Sequence, residues 1–363
     1  RHAQTQVHAM SNYNKFYNGF KDFANQRDRI WYTSVARSFF DDAMSAGPFE
    51  FLIAIGFSFE YVLTNLLFVP FMSGAAYNGD MATCTFGFSA QSDEARHMTL
   101  GLECIKFMLE QDPDNIPIVQ KWIDKWFWRG CRLLTLVAAM MDYMLPKRVM
   151  SWREAWNIYG VENGNALFRD LARYGIKPPM HWDDVEKSID HTSHQIMLGL
   201  YQWKFGTAFH SWTPTASDIE WLKEKYPTTF EKYYLPRWEY AIAQKENGGE
   251  YNNFGLPKLC QVCQLPTLFT EPDDPTQLCH RETDYEGEKY HFCSDGCQHV
   301  FEQEPEKYVQ AWLPMTAMMQ EPLKGDLAAW MEWVSLEPTA AGEYANSEDK
   351  ANFEKWRKQV STD

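Results

Sequence analysis

The sequence predicts a mainly α-helical protein that carries a small, cysteine-organised module near its C-terminal end. Three observations lead there. Apolar residues recur at helical spacings over the first two-thirds, as in Trp122, Trp126, Leu133, Val137, Met140 and Met144. Helix punctuation accompanies the periodicity: Ser151 with Glu154, and Ser217 with Glu220, have capping-box spacing, and Gly175 followed by Pro178 and Pro179 reads as a stop. Finally, Asn247, Gly248, Gly249, Asn252, Asn253 and Gly255 break the helical pattern just before a cluster of cysteines. The expected organisation is a helical bundle over 1–250, a four-cysteine module over 256–312 and a C-terminal tail over 313–363.

At 363 residues, 45% hydrophobic and 16% aromatic, the chain can bury a large core with a smaller domain beside it. Its net charge of −15, with no offsetting Lys/Arg cluster, argues against a phosphate-rich partner, so nucleic acid is not expected. No charged segment leads into a short apolar run and a small-residue cleavage site at the start, so export is not indicated and a cytoplasmic location is expected. The stretch from Phe51 to Phe71 is long enough to cross a bilayer, being apolar apart from Ser58, Glu60, Thr64 and Asn65. A mid-bilayer carboxylate costs roughly 3 kcal/mol even on insertion scales, and no basic flank accompanies the segment. A buried helix of a soluble protein, with no membrane partner, is the expectation.

That helix raises a question of chemistry, because an ionised Glu60 in apolar surroundings must be paired, hydrogen-bonded or bound to a metal. A salt-bridged core glutamate is one answer. Glu94 and His97 suggest another: three residues apart on a helix they share a face and can grip one ion. A lone Glu on one helix and Glu-x-x-His on the next make half of the four-helix carboxylate site of ferritin-like di-iron proteins. Arg1-His2 echoes Arg96-His97, so the chain is expected to begin inside the second Glu-x-x-His, with its glutamate two positions before Arg1 and a further single glutamate upstream.

With His2 and Gln6, Glu60 followed by Thr64 and Asn65, then Gln91, Asp93, Glu94, Arg96 and His97, the sequence resembles the large hydroxylase subunits of bacterial multicomponent di-iron monooxygenases, phenol hydroxylases above all. The resemblance runs over essentially the whole chain. It implies that His2, Glu60, Glu94 and His97 bind two irons, that Asp93 orients His2, and that Gln6 and Arg96 also stand behind the ligands. Thr64 would be the hydroxyl beside the O2 site, Asn65 and Gln91 its polar neighbours, and Phe39, Phe59 and Phe68 the walls of an aromatic pocket. Carboxylates and imidazoles suit iron and leave positions open for O2, and apolar walls keep water out.

The implied reaction is O2-dependent hydroxylation of phenol or a related small aromatic. The implied partners are beta and gamma hydroxylase subunits in a dimer of heterotrimers, a coupling protein, and a reductase that passes electrons from NADH through FAD and a 2Fe-2S cluster. A toluene or alkene monooxygenase of the same family is the neighbouring alternative. Two others change the use of the helices: a radical-generating or iron-oxidising di-iron protein, and a non-catalytic zinc-stapled scaffold.

Cys84, Cys104 and Cys131 are scattered, whereas Cys260, Cys263, Cys279, Cys293 and Cys297 crowd together. Cys260-x2-Cys263 and Cys293-x3-Cys297 have the spacing of a closed, structural zinc site, with Cys279 and His280 as spare or substitute donors. Tyr290-His291-Phe292-Cys293-Ser294, followed by Phe301, Pro305 and Tyr308, resembles a YHS-type module. His191 and His194 after Asp190, and the Trp-rich stripe from Trp122 to Trp128, are expected to be structural.

Overall fold

Pro48 opens a continuous 30-residue helix because a proline in the first turn gives up only an N–H that would lack a partner anyway. The computed structural model describes residues 4, 8, 31–145, 147–202, 213–247, 258–267 and 281–309. Within these, helix α1 spans Trp31–Met44, α2 spans Pro48–Tyr77, α3 Met81–Gln111 and α4 Asn115–Ala139. Two compact units emerge. The described residues of the first lie chiefly within Asp42–Ile189, those of the second within Gln26–Asp41 and Asp190–Asp363.

In the first unit α2 packs along both α3 and α4. Asp80 starts α3: its carboxylate accepts hydrogen bonds from the Thr83 amide at 3.0 Å and the Thr83 hydroxyl at 2.6 Å. Helix α2 is α-helical at both ends, but its middle, Ile53–Leu63, is wound as a π-helix. The α pattern resumes where the Thr64 amide donates to the Glu60 carbonyl. Alone among the described helices, α2 is long and apolar enough to cross a membrane, and 44% of its most apolar window is buried within the protein.

The Trp-rich stripe of α4 is packing, as expected. Trp126 and Phe127 are fully buried and Trp128 nearly so. Charge is buried with them: Arg129 meets Asp42 at 3.1 Å, and Lys125 meets Glu50 at 3.0 Å while the Trp126 indole donates to the same Glu50 oxygen. Each such pair offsets a large desolvation penalty only because both charges are present. Ser151 and Glu154 form the anticipated capping box, and Gly175, at φ 83°, ends the helix Glu162–Ala172.

In the second unit the helix Ala216–Lys225 corrects an expectation. Its capping box is Thr215 with Asp218, not Ser217 with Glu220. Thr215, following Pro214, has extended backbone, so its hydroxyl reaches the Asp218 amide, whereas Ser217 already lies inside the first turn. His191 and His194 are buried in an aromatic cluster: the His191 ring hydrogen-bonds the Tyr234 hydroxyl at 2.7 Å, and His194 sits among Tyr226, Phe230 and Tyr234. Burial holds His194 well below the ordinary histidine range, so it stays neutral.

The cysteine-bearing part has two small antiparallel ribbons, β1 (Lys258–Leu259) with β2 (Pro266–Thr267) and β3 (Arg281–Tyr285) with β4 (Glu288–Phe292), followed by the helix Asp295–Gln303. Gly287, at φ 86°, makes the tight turn between β3 and β4.

Candidate metal centres

Among the described residues, two clusters of His, Cys, Asp or Glu converge closely enough to share an ion. The first is Glu60, Glu94 and His97, whose donor atoms lie within 4.8 Å of one another. Glu60 comes from the π-helical part of α2; Glu94 and His97, one turn apart, come from α3. His97 Nδ1 is 2.9 Å from a Glu94 oxygen and 3.4 Å from a Glu60 oxygen. The two carboxylates are mostly buried, while His97 is 52% exposed, so the cluster is open on one side.

Electrostatics identify this as a place for a cation. Burial, reinforced by the facing charge of Glu94, pushes the Glu60 carboxyl up to about 7. For His97 the largest influence, burial, lowers the pKa, but the hydrogen bonds and charges of Glu94 and Glu60 outweigh it and raise the group overall. Two carboxylates and an imidazole brought this close are donors of a kind that could hold a cation such as iron.

The residues expected around this cluster are partly assembled. Asn65 and Gln91 meet, the Gln91 amide donating to the Asn65 carbonyl oxygen at 2.5 Å. The Gln91 side-chain carbonyl oxygen is buried without a hydrogen-bond partner among the described residues. Thr64 is buried, its hydroxyl donating to the Phe59 carbonyl at 3.1 Å. Asp93 pairs with Arg96 at 3.3 Å on the surface of α3. His2 and Gln6 lie outside the described residues, as do Cys279 and His280.

Phe59 and Phe68 are half-buried on α2, whereas Phe39 is fully buried in the second unit against Phe40. A cavity of about 550 Å³ does open in the first unit, between Phe49, Leu52, Cys104, Phe107, Met108 and Tyr174, and none of the three expected phenylalanines lines it. Gly56 and Gly101, where α2 and α3 touch, were not singled out by sequence; a glycine pair leaves no trace in hydrophobic periodicity.

The second cluster is Cys260, Cys263, Cys293 and Cys297, all buried and none in a disulfide. Cys263 and Cys293 sulfurs are 3.4 Å apart, and those of Cys293 and Cys297 3.6 Å apart. A disulfide would need ~2.05 Å. A tetrahedron of Zn–S bonds of ~2.3 Å has edges of about 3.8 Å, close to the spacing found. Burial, with the crowding of the neighbouring thiols, pushes Cys263 and Cys297 well above the ordinary thiol range. Four thiols with no charge to stabilise their ionised form are a fitting cage for a divalent ion.

Comparison with known proteins fits this geometry. The model of the methane/phenol/alkene hydroxylase family matches residues 1–112, and that of the YHS domain matches residues 269–312. The oxygenase component DmpN of phenol 2-monooxygenase from Pseudomonas sp. (strain CF600) is 63% identical over 325 residues, which are 90% of this chain and 63% of that protein. The oxygenase alpha subunit of the alkene monooxygenase system of Xanthobacter autotrophicus is 33% identical over 77% of this chain and 56% of its own. Among solved structures, xenon-pressurized phenol hydroxylase from Pseudomonas sp. OX1 superposes with a TM-score of 0.84 at 59% identity, covering 97% of this chain and 72% of that one. The chain therefore spans about three-fifths of the length of the curated relatives it matches.

Proposed function

Since this chain belongs to the methane/phenol/alkene hydroxylase family, we propose that it is the large subunit of a di-iron monooxygenase that hydroxylates phenol or a related small aromatic with O2. The observation that carries the reading is the convergence of Glu60, Glu94 and His97 within 4.8 Å, with a Glu60 carboxyl that burial and Glu94 push up to about 7. Glu60, Glu94 and His97 would hold iron, with His2 assigned as a further ligand. A pair of irons there would supply the electrons and the Lewis acidity needed for hydroxylation with O2.

The chain's own residues do the rest. The Thr64 hydroxyl, anchored on the Phe59 carbonyl, stands one turn beyond Glu60, and the Asn65–Gln91 pair gives the centre a polar edge at which protons and water can be held. Asp93 and Arg96, paired on α3, are assigned to supporting the ligands, and the same role is assigned to Gln6. Phe59 and Phe68, half-buried on α2, are assigned to the apolar surface that receives the ring and excludes water, whereas Phe39, buried in the second unit, is a core residue.

The helical part to about residue 250 carries this centre, Cys260, Cys263, Cys293 and Cys297 hold a structural zinc in the module over 256–312, and 313–363 form a tail. The chain works in the cytoplasm with beta and gamma subunits in a dimer of heterotrimers, a coupling protein, and a reductase that brings electrons from NADH through FAD and 2Fe-2S. The test is turnover of the complete complex with NADH, phenol and 18O2. Catechol carrying one 18O atom is the expected product. A stable tyrosyl radical with no oxygenated arene would instead favour a radical-generating subunit, and zinc without iron in the full-length chain would favour a scaffold. Faster turnover of an alkene than of phenol would move the substrate to the neighbouring branch of the family.

A further inference from the structure

Helices α2 and α3 come into direct backbone contact at two glycines, Gly56 and Gly101. A Cβ added to Gly101 would fall 2.7 Å from the Gly56 carbonyl carbon, 2.8 Å from its oxygen and 3.0 Å from its Cα. All three are backbone atoms, so no side-chain rotation makes room and the helices themselves would have to part. The reverse substitution is milder: a Cβ on Gly56 would lie 3.2 Å from the Gly101 Cα and 3.9 Å from the His97 carbonyl oxygen.

The contact has a particular place on each helix. Gly56 precedes Glu60 by four residues, and Gly101 follows His97 by four, so on both helices the contact lies about one turn from a metal-binding side chain. Glu94 and His97 share a helix and keep their mutual geometry whatever α2 does. The 3.4 Å separation of Glu60 from His97, by contrast, crosses between helices and depends on how far apart they stand. Relieving a 2.7 Å backbone overlap to ordinary van der Waals distance requires a displacement of about 0.8 Å. Ligand distances at a metal site tolerate about 0.2 Å. The displacement therefore exceeds what the centre can absorb.

We propose that the Gly56–Gly101 backbone contact is a positioning device that sets Glu60 against Glu94 and His97. The proposal rests on the di-iron reading. It assigns the two glycines no contact with substrate or metal; they act through the spacing of the ligand-bearing helices.

The experiment uses the full-length protein in its complex and measures iron affinity together with the iron X-ray absorption spectrum. For Gly101→Ala, iron affinity falls roughly tenfold or more, the scale on which lost support of metal ligands acts, and the absorption spectrum shows altered coordination. Gly87→Ala is the control. Its added Cβ meets the flexible Met72 side chain two turns from Glu94, so it perturbs the same pair of helices and leaves iron affinity and spectrum at wild-type values. Should Gly101→Ala not fold, Gly56→Ala decides: it folds, and severalfold faster loss of iron to a chelator supports the proposal, while the wild-type rate overturns it. Wild-type iron affinity and spectrum in folded Gly101→Ala also overturn it. A wild-type protein that takes up no iron overturns the di-iron reading and this assignment with it, a result distinct from equal iron in wild type and variant.

Discussion

Replacing Glu60 by alanine or glutamine abolishes hydroxylation: product formation falls by at least about 100-fold, since even residues that merely support metal ligands carry 10–100-fold. Iron content falls with it, and the fold does not. Glu60 is unlike a structural glutamate in that burial and the facing Glu94 disfavour its charge more than His97 favours it. Its carboxyl is pushed up to about 7, first by burial and then by Glu94, and the partial compensation from His97 does not reverse this. Because the folded-state value is raised above that of an unfolded glutamate, the folded state prefers the protonated form. Its stability is greatest below the unfolded value of 4.5 and declines as pH rises toward and through 7. Glutamine mimics the protonated carboxyl. Metal-free Glu60→Gln should therefore melt at a higher temperature than metal-free wild type at pH 8, and the difference should vanish by pH 4. Thermal scans of the chelated full-length proteins check this. A variant that melts lower than wild type at pH 8 would show that Glu60 is a salt-bridged core residue, and the metal reading would fail. Such an exchange of stability for function is the usual mark of an active site.

The convergence of Glu60, Glu94 and His97 is legible in the sequence. Glu60 stood out because a carboxylate interrupts the most apolar stretch of the chain, and Glu94 with His97 because i and i+3 share a helical face. The cysteines were legible because metal chelation imposes short, discrete spacings along the chain. What sequence did not reveal has physical causes too. The π-helical winding of Ile53–Leu63 depends on which carbonyl each amide selects, and side-chain hydrophobicity at a period of 3.6 carries no record of that choice. The Gly56–Gly101 contact is made by backbone alone. The buried pairs Arg129–Asp42 and Lys125–Glu50 join residues far apart in sequence, and each charge looks like a surface residue until its partner is known. At Ser217 and Thr215, two residues apart with an acidic residue three positions on from each, only the extended backbone at Thr215 decides which caps the helix.

Mutation of Cys293 to serine, or removal of zinc by a chelator, unfolds the cysteine module while the helices of the first unit stay protected. The reason is size. Among the described residues, the module's apolar interior is Val262, Leu265, Phe292, Val300, Phe301 and Tyr308, with Tyr285 and Tyr290 packed against Phe301. Polar support is added by Arg281, whose guanidinium meets both oxygens of Asp295 at 2.6 and 3.0 Å. A core this small rarely supplies more than about 3–5 kcal/mol, and the chain entropy of its turns opposes it. Structural zinc contributes an apparent 10–16 kcal/mol at pH 7 in zinc-finger peptides, enough to decide whether such a module folds. Metal-free, the same four residues are a liability: burial and mutual crowding push Cys263 and Cys297 well above the ordinary thiol range, so their thiols hold their protons. Zinc must displace those protons, so its affinity falls as pH is lowered. Hydrogen exchange of the full-length protein reads the outcome directly. Amides of 281–309 lose their protection in Cys293→Ser, and those of α3 and α4 keep theirs. Retained protection across 281–309 in the zinc-free variant would mean that packing alone holds the module, and the assignment of these four cysteines to a structural metal would fall.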